Sequence, residues 1–449
     1  MKYHIWTEGC QMNVADSQRV AWALEQLGYQ SVGNPEQADV IVLNTCVVRQ
    51  SAEDKAYGRL TSLRPLKQRR PDLVINVMGC LVGIRGNQFL QETFPYVDVV
   101  SGPSDPRPLL KFLSEREDGR ALAQAETEAR FARQDDFSLH PPGFLLPEAE
   151  RASAVCVYVP IVYGCSHGCT FCVIPMRRGQ ERSRPVGEVV SEVRALAGEG
   201  VKEVTLLGQI VDRYGRDLPG EPGLPGLLEQ LHRTEGLDRI RFLTSHPSWV
   251  TDELLHSVAE HPKVCEHLEV PVQAGDDEVL ARMRRGYTAQ DYRRLIDRIR
   301  TVLPGASIAT DVIVGFPGET DSQFQKTYDL LRDLRLDVAH LAPYSPRPGT
   351  LAARRYPDDV PPEEKIRRFR ALEELQAGIG AELNQRYVGQ TLEILVEGKH
   401  KGRWVGRTRT NRLVFYDSPS RDWRGQRVPV RITQSTAWSL QGEPPALSP

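Results

Sequence analysis

Along the first hundred residues, short apolar runs alternate with stretches in which apolar positions return every three or four residues. The runs predict strands at Tyr3–Thr7, Asp39–Asn44, Leu73–Met78 and Val97–Ser101; the longer period predicts helices near Ser17–Leu27, Ser51–Pro65, Asn87–Thr93 and Pro106–Ser114. Alternation of this kind implies a parallel sheet with helices on its faces. The periodicity fails from 117 to 150, where an Ala/Glu/Arg-rich stretch gives way to Pro141-Pro142-Gly143 and Pro147, the composition of a linker. A second series then predicts strands at Ala154–Tyr163, Glu203–Leu207, Ile240–Thr244, His267–Val272, Ser307–Val314 and Val338–Pro343. Helices are expected between them near Val186–Gly198, Gly223–Arg233, Asp252–His261, Tyr287–Leu303 and Ser322–Leu334. Six strands with crossover helices suggest a partial (β/α)6 barrel, whose catalytic groups belong in the loops after the strand C-terminal ends.

A Glu- and Arg-rich helix at Pro362–Gln385 leads to Gly389. Short strands follow at Leu392–Val396, Trp404–Thr408, Leu413–Tyr416, Arg427–Ile432 and Ala437–Leu440, broken by turn residues, and suggest a small five-stranded β-barrel. The expected fold class is α/β: an N-terminal parallel-sheet domain over 1–116, a linker over 117–150, a barrel core over 151–383 and a C-terminal barrel over 384–446.

Composition changes this picture in three places. The 449 residues are 40% hydrophobic, enough for about three domains, with no apolar run of membrane-spanning length and no signal-like start. A cytoplasmic protein with no membrane partner is expected. In a reducing compartment the eight cysteines read as metal ligands rather than disulfides. The net charge of −2 argues against a general nucleic-acid coat. Yet after Tyr387 there are ten Lys or Arg against five Asp or Glu, a local excess of positive charge, alongside Trp404, Tyr416 and Trp423. A basic barrel with aromatic residues suits RNA through phosphate charge and base stacking; the plainer reading is an oligomer-forming barrel with a solvated face.

The chemistry is concentrated in two cysteine triplets. Cys165, Cys169 and Cys172 stand within eight residues, after the first strand of the second series. Three thiolates leave one iron of a [4Fe–4S] cluster open. Zinc would want a fourth ligand, and no matching second pair follows; His167 lies too close in sequence to serve easily. Buried structural cysteines remain the bland alternative. Cys10, Cys46 and Cys80 each follow one of the first three strands, and strand C-terminal ends of an open α/β sheet share one edge, so these thiols should converge. They are a candidate second cluster site, or three small buried residues. Cys156 and Cys265 match neither triplet and read as small strand or helix residues.

The Cys165/Cys169/Cys172 spacing resembles the signature of radical S-adenosylmethionine (SAM) enzymes. There the open iron is chelated by the SAM amino and carboxylate groups, and reduction cleaves SAM to a 5′-deoxyadenosyl radical. Thr7-Glu8-Gly9-Cys10-Gln11-Met12-Asn13-Val14-Ala15-Asp16-Ser17 and Asn44-Thr45-Cys46-Val47-Val48-Arg49 resemble the N-terminal domain of the methylthiotransferase family. Gly79-Cys80-Leu81-Val82 departs from the more usual Gly-Cys-Met-Ala without touching a ligand. In that family the three cysteines hold an auxiliary [4Fe–4S] cluster that carries the sulfur to be transferred. The resemblance extends to Gly208-Gln209, Ser245-His246-Pro247, Val270-Pro271-Val272-Gln273-Ala274-Gly275 and the run from Asp311 through Gly315 and Gly318 to Thr320. It implies SAM contacts at Gly208, Gln209, Ser245, Gln273, Asp311 and Gly315, with Gly315 and Gly318 approaching the adenosyl group closely. Arg177, Arg178, Arg182 and Arg184, and the segment Tyr344–Thr350, also look like family motifs, where guanidinium forks would hold phosphate or the SAM carboxylate. The terminal segment resembles a TRAM domain, expected to add RNA affinity and no chemistry.

The resemblance as a whole implies methylthiolation of C2 of an adenosine beside the tRNA anticodon, most closely one carrying N6-isopentenyl, with SAM as both methyl donor and radical source. It further implies two [4Fe–4S] clusters, a tRNA anticodon stem-loop as partner, a low-potential electron donor of the flavodoxin or ferredoxin kind, and a monomer. Arg49 resembles the isopentenyl branch. Ile210 stands where an Asn is usual, and either packs against the isopentenyl tail or points into the core. Rival substrates are N6-threonylcarbamoyladenosine in tRNA and an aspartate of a ribosomal protein; a rival class is a non-catalytic iron–sulfur RNA-binding redox sensor.

Overall fold

Strands β1 (Lys2–Thr7), β2 (Gln30–Ser31), β3 (Val40–Thr45), β4 (Val74–Gly79) and β5 (Val99–Ser101) form one parallel sheet in the order β2-β1-β3-β4-β5. The computed structural model that shows this describes residues 1–48, 50–83, 87–116, 144–418 and 422–444. β3 and β4 are buried along their whole length because helices cover both faces. Ile41, Leu43, Ile75 and Val77 pack with Leu60 and Leu63 of the helix Gln50–Arg69. The alternate residues Val40, Val42, Val74 and Met78 pack with Val20 and Leu24 of the helix Gln11–Gln26 and with Leu109 of the helix Arg107–Arg116. The first helix starts six residues before the sequence-based expectation, because Asn13 in its first turn is buried and hydrogen-bonded to Asn44 rather than solvated. The second runs through Pro65 instead of ending there, since proline forfeits one backbone bond while Leu63 and Leu66 anchor the helix on either side.

The chain divides into two units. One comprises Met1–Ala152, Tyr163–Ser166 and Val173–Arg182, the other Ser153–Val162, His167–Cys172 and Ser183–Pro449. Of the expected linker, 117–143 lie outside the described residues.

In the second unit, β6 (Cys156–Pro160) begins a new series. The short strands β7 (Val162–Tyr163) and β8 (Arg182–Ser183) flank the cysteine loop in sequence. Then come β9 (Glu203–Leu207), β10 (Arg239–Leu243), β11 (His267–Glu269), β12 (Ser307–Val314) and β13 (Val338–Pro343). β6, β9 and β10 form one parallel sheet and β11, β12 and β13 another. The two meet through a parallel bridge between Ile240 and Val264 and an N–H of Ser245 donated to the Glu269 carbonyl at 2.9 Å. The result is a six-stranded partial barrel. Its helices begin where the sequence signals them: Thr288 with Asp291, and Thr320 with Gln323, form reciprocal caps.

The helix Pro362–Gln385 packs on β13 and leads into β14 (Thr391–His400), β15 (Arg403–Arg407), β16 (Leu413–Tyr416), β17 (Arg427–Ser435) and β18 (Leu440–Glu443), which close into a barrel in the order β14-β15-β16-β18-β17. Trp404, Tyr416 and Trp423 fill its interior with Ile394, Val414 and Val430. They are therefore not platforms for stacking bases: a small closed barrel needs bulky side chains inside it, and these three supply the bulk. Among the described residues no helix is long and apolar enough to cross a membrane.

Candidate active site

The first triplet stands at the C-terminal edge of the N-terminal sheet. Cys10 caps the helix Gln11–Gln26, while Cys46 and Cys80 follow β3 and β4 and are buried. Two glycines let these loops close on one another. Gly9 takes φ +143°, and a Cβ there would lie 2.6 Å from Cys46 Cβ; Gly79 takes φ +98°, and a Cβ there would lie 2.4 Å from the Thr45 carbonyl. Buried amides fix the geometry. Asn13 Nδ2 donates to Asn44 Oδ1 at 2.9 Å and to Thr45 O at 3.0 Å, and Cys10 Sγ lies 3.3 Å from Asn13 Oδ1. Burial, followed by the neighbouring Cys10 and Cys80, pushes the Cys46 thiol up to about 11, and burial also raises Cys80. Arg178 opposes both shifts. Its guanidinium is buried beside Cys80 and paired with Asp16 at 3.0 Å, so it supplies the positive charge that iron-bound thiolates would need. Three convergent thiols, a nearby cation and a helix N-terminus suit a cluster of the three-ligand kind.

Cys165 belongs to the first unit and is buried, its N–H donating to Gly179 O at 3.1 Å. Cys169 and Cys172 belong to the second, joined by a Cys172 N–H to Cys169 O bond of 3.2 Å. Arg285 Nη1 donates to Cys169 Sγ at 3.1 Å. Burial raises the Cys169 thiol, but His167 and Arg285 outweigh it and hold the thiol below its ordinary range. Among the described residues no three His, Cys, Asp or Glu side chains converge as on a single metal ion. A cubane asks for a different arrangement, because each thiolate binds its own iron at a separate corner.

Around the C-terminal ends of the barrel strands the structure places most of the remaining candidates. Thr244 (φ +69°) and Gln273 (φ +74°) hold left-handed conformations directly before Ser245 and after Val272. For the β-branched Thr244 in particular this is strained backbone, of the kind that concentrates at functional sites. Ser245 Oγ and His246 Nε2 are buried without a hydrogen-bond partner among the described residues. His246 Nδ1 accepts the Ser248 N–H at 3.2 Å, which leaves its proton on Nε2, and burial, with Arg285 and His167, pushes its pKa down to about 2. Asp311 of β12 is in register with His340 of β13. Glu269, which sequence reasoning passed over, accepts the Thr244 N–H at 3.2 Å and has Oε1 3.7 Å from His340 Nε2. Burial, then Asp311, pushes Glu269 up to about 7. Gly208 packs tightly on Val211 and Val162, and Gln209 is half-buried beside it. Gly315 makes the expected turn (φ +70°), but its N–H goes to Glu319 and the space beyond its α-carbon is filled by Lys365, so that face meets protein. Ile210 is buried. Arg49 lies outside the described residues.

The basic segments behave differently from expectation. Arg178 and Arg184 are buried in ion pairs with Asp16 and Glu192, and Arg177 donates to Val82 O, so of that group Arg182 alone is exposed. In the terminal barrel, the loop Thr408–Arg412 covers the N-terminal ends of the core strands. Arg241 of β10 donates to the Thr408 and Arg409 carbonyls at 2.6 Å each and pairs with Glu203 at 2.7 Å; Arg239 donates to Arg407 O at 2.7 Å. In return Arg409 pairs with Glu266 at 2.6 Å and Arg412 with Asp337. Part of the basic charge read from the sequence therefore faces the core, and Lys399, Lys401, Arg424, Arg427 and Arg431 remain as exposed cations among the described residues. Arg421 lies outside the described residues.

Three family models match in succession: "Uncharacterized protein family UPF0004" over residues 2–102, "Radical SAM superfamily" over 159–331 and "TRAM domain" over 385–444. Over 445 residues, 98% of this chain and 89% of the relative, the sequence is 48% identical to a tRNA-2-methylthio-N(6)-dimethylallyladenosine synthase of Roseiflexus sp. (strain RS-1). The chain belongs to the radical SAM methylthiotransferases. A second relative of the same name, from Chloroflexus aurantiacus (strain ATCC 29366 / DSM 635 / J-10-fl), is 47% identical over 99% of this chain and 91% of its own. Among solved structures, the radical SAM methyltransferase TsrM from Kitasatospora setae shares the fold, with a TM-score of 0.57 at 16% identity over 78% of this chain and 76% of its own. As a radical SAM methylthiotransferase the protein is an enzyme that uses SAM and a [4Fe–4S] cluster.

Proposed function

We propose that this enzyme methylthiolates C2 of N6-dimethylallyl (isopentenyl) adenosine next to the tRNA anticodon. Near-full-length identity of 48% to a synthase of that name is the observation that carries this reading. Carbon at this ring position is unactivated, so the chemistry calls for a radical; the cluster and SAM together supply it when bound. In this reading Cys165, Cys169 and Cys172 hold the SAM-binding cluster, and Cys10, Cys46 and Cys80 hold a second [4Fe–4S] cluster that carries sulfur, with SAM also serving as methyl donor. The convergence of Cys10, Cys46 and Cys80 beside Arg178 supports the second of these assignments. Gly208, Gln209, Ser245, Gln273 and Asp311 line the strand ends where SAM and the base would be held. Ser245 Oγ and the Nε2–H of His246 are buried polar groups there with no partner among the described residues. The turn at Gly315 would act by shaping the loop rather than by touching the nucleoside.

The same reading gives the protein a cytoplasmic, monomeric existence, an anticodon stem-loop as substrate and a flavodoxin or ferredoxin as electron donor. Mass spectrometry of tRNA nucleosides from a deletion strain tests the substrate: loss of the 2-methylthio form with accumulation of its isopentenyl precursor is expected. Accumulation of the threonylcarbamoyl form instead would transfer the assignment to that nucleoside. For the second cluster, the reconstituted protein should hold about eight irons, and about four after Cys165, Cys169 and Cys172 are changed together to Ala.

A further inference from the structure

Arg285 is almost completely buried, and all of its bonding is directed inward. Nη1 donates to Cys169 Sγ at 3.1 Å, Nη2 to Pro271 O at 3.1 Å and Nε to Tyr287 Oη at 2.9 Å. Tyr287 is fixed in turn, its hydroxyl donating to Val272 O at 2.8 Å, and the guanidinium lies over its ring at 5.4 Å. Among the described residues no carboxylate pairs with Arg285. A buried guanidinium without a carboxylate is costly unless an anion meets it, and here the group it meets is the sulfur of a candidate cluster ligand. The fork leaves Arg285 little freedom to swing toward a substrate.

We propose that Arg285 is a positioning residue that sets the reduction potential of the SAM-binding cluster through a charge-assisted N–H···S bond to Cys169. This rests on the assignment of Cys165, Cys169 and Cys172 as its ligands. A thiolate-ligated cluster gains negative charge on reduction, so a fixed cation and a hydrogen bond to one of its sulfurs stabilise the reduced form and raise the potential. Potential is the quantity at stake for an enzyme that must accept an electron and then pass it to a sulfonium.

The test is an anaerobic redox titration of the reconstituted full-length protein, followed by electron paramagnetic resonance, reading the signal that changes on addition of SAM. Arg285→Gln is expected to lower the one-electron equilibrium constant by about tenfold, which is about 59 mV. Arg285→Lys, which keeps the charge, should lie closer to the wild type, and Tyr287→Phe, which frees the fork, should shift in the same direction as Arg285→Gln by less. An unchanged potential in an Arg285→Gln protein with full iron content would overturn the proposal. If that variant loses its iron, unchanged potentials in the other two overturn it; loss of iron in all three would make Arg285 a structural residue and overturn it equally. A wild-type protein with no SAM-responsive signal would remove the ligand assignment, and the proposal with it.

Discussion

Arg178 and Asp16 form an ion pair of 3.0 Å whose side chains are 2% and 0% exposed, although 162 residues separate them in sequence. Ser104 completes the group, accepting from Arg178 at 3.0 Å and donating to Asp16 at 2.5 Å. The pair ties the segment after the cysteine loop to the helix that Cys10 caps, beside Cys80. Replacing Arg178 by Met would strand a buried carboxylate, and a loss of about 3–5 kcal/mol is expected in anaerobic urea unfolding. A loss below about 1 kcal/mol, as for exposed pairs, would contradict this account of the pair.

A second prediction concerns the terminal barrel. Sequence reasoning treats it as an RNA module without chemistry, but its Arg407 carbonyl accepts from Arg239 and its loop Thr408–Arg412 accepts from Arg241 at the base of the core barrel. Ending the chain after residue 386 should therefore reduce SAM cleavage as well as tRNA binding. Arg241→Met, which leaves the Glu203 carboxylate buried without its cation and removes the bonds to the Thr408 and Arg409 carbonyls, should cost about 3–5 kcal/mol by thermal or urea unfolding. Undiminished SAM cleavage in the truncated protein would show that the core does not depend on this docking.

What the sequence made legible, and what it hid, divides by separation along the chain. Strand ends could be read from apolar runs, and Cys10, Cys46 and Cys80 follow three of them, so their convergence came from topology alone. The pairing of Arg285 with Cys169 spans 116 residues, and that of Arg241 with Arg409 spans 168. No local pattern announces interactions of that range. A basic run such as Arg177–Arg184 looks the same whether its guanidinium groups reach solvent or, like Arg178 and Arg184, meet buried carboxylates. Trp404, Tyr416 and Trp423 misled for the converse reason: an aromatic in a short strand, or like Trp423 in the segment before one, suits either face until the barrel closes.

RNA affinity should then depend on the cations left outside. Lys399 and Lys401, on the hairpin between β14 and β15, are exposed. Changing both to Ala should weaken binding to an anticodon stem-loop and reduce the slope of log K against log salt, by about 0.7–0.9 for each phosphate that is no longer neutralised. SAM cleavage without RNA should be unaffected. An unchanged slope would move the interface elsewhere.

Glu269 predicts a pH dependence. Its folded pKa of about 7 lies above the ordinary 4.5, so the folded state holds its proton more tightly than the unfolded chain. The stabilisation is complete below about pH 4.5 and is lost as pH rises toward 7, at most about 3 kcal/mol across that window. Glu269→Gln should remove this slope and be the more stable form at pH 8. Parallel stability curves for the two proteins between pH 5 and 8 would contradict the burial of Glu269 beside Asp311.

The division of labour between the two cysteine triplets is tested most directly by one anaerobic assay. Reconstituted protein is given SAM, a low-potential reductant and an anticodon stem-loop carrying isopentenyl adenosine, and both 5′-deoxyadenosine and the 2-methylthio nucleoside are quantified by mass spectrometry. Wild type should yield both, and a protein with Cys10, Cys46 and Cys80 changed to Ala should yield 5′-deoxyadenosine alone. Methylthiolated product from that variant, or none from the wild type, would contradict the account.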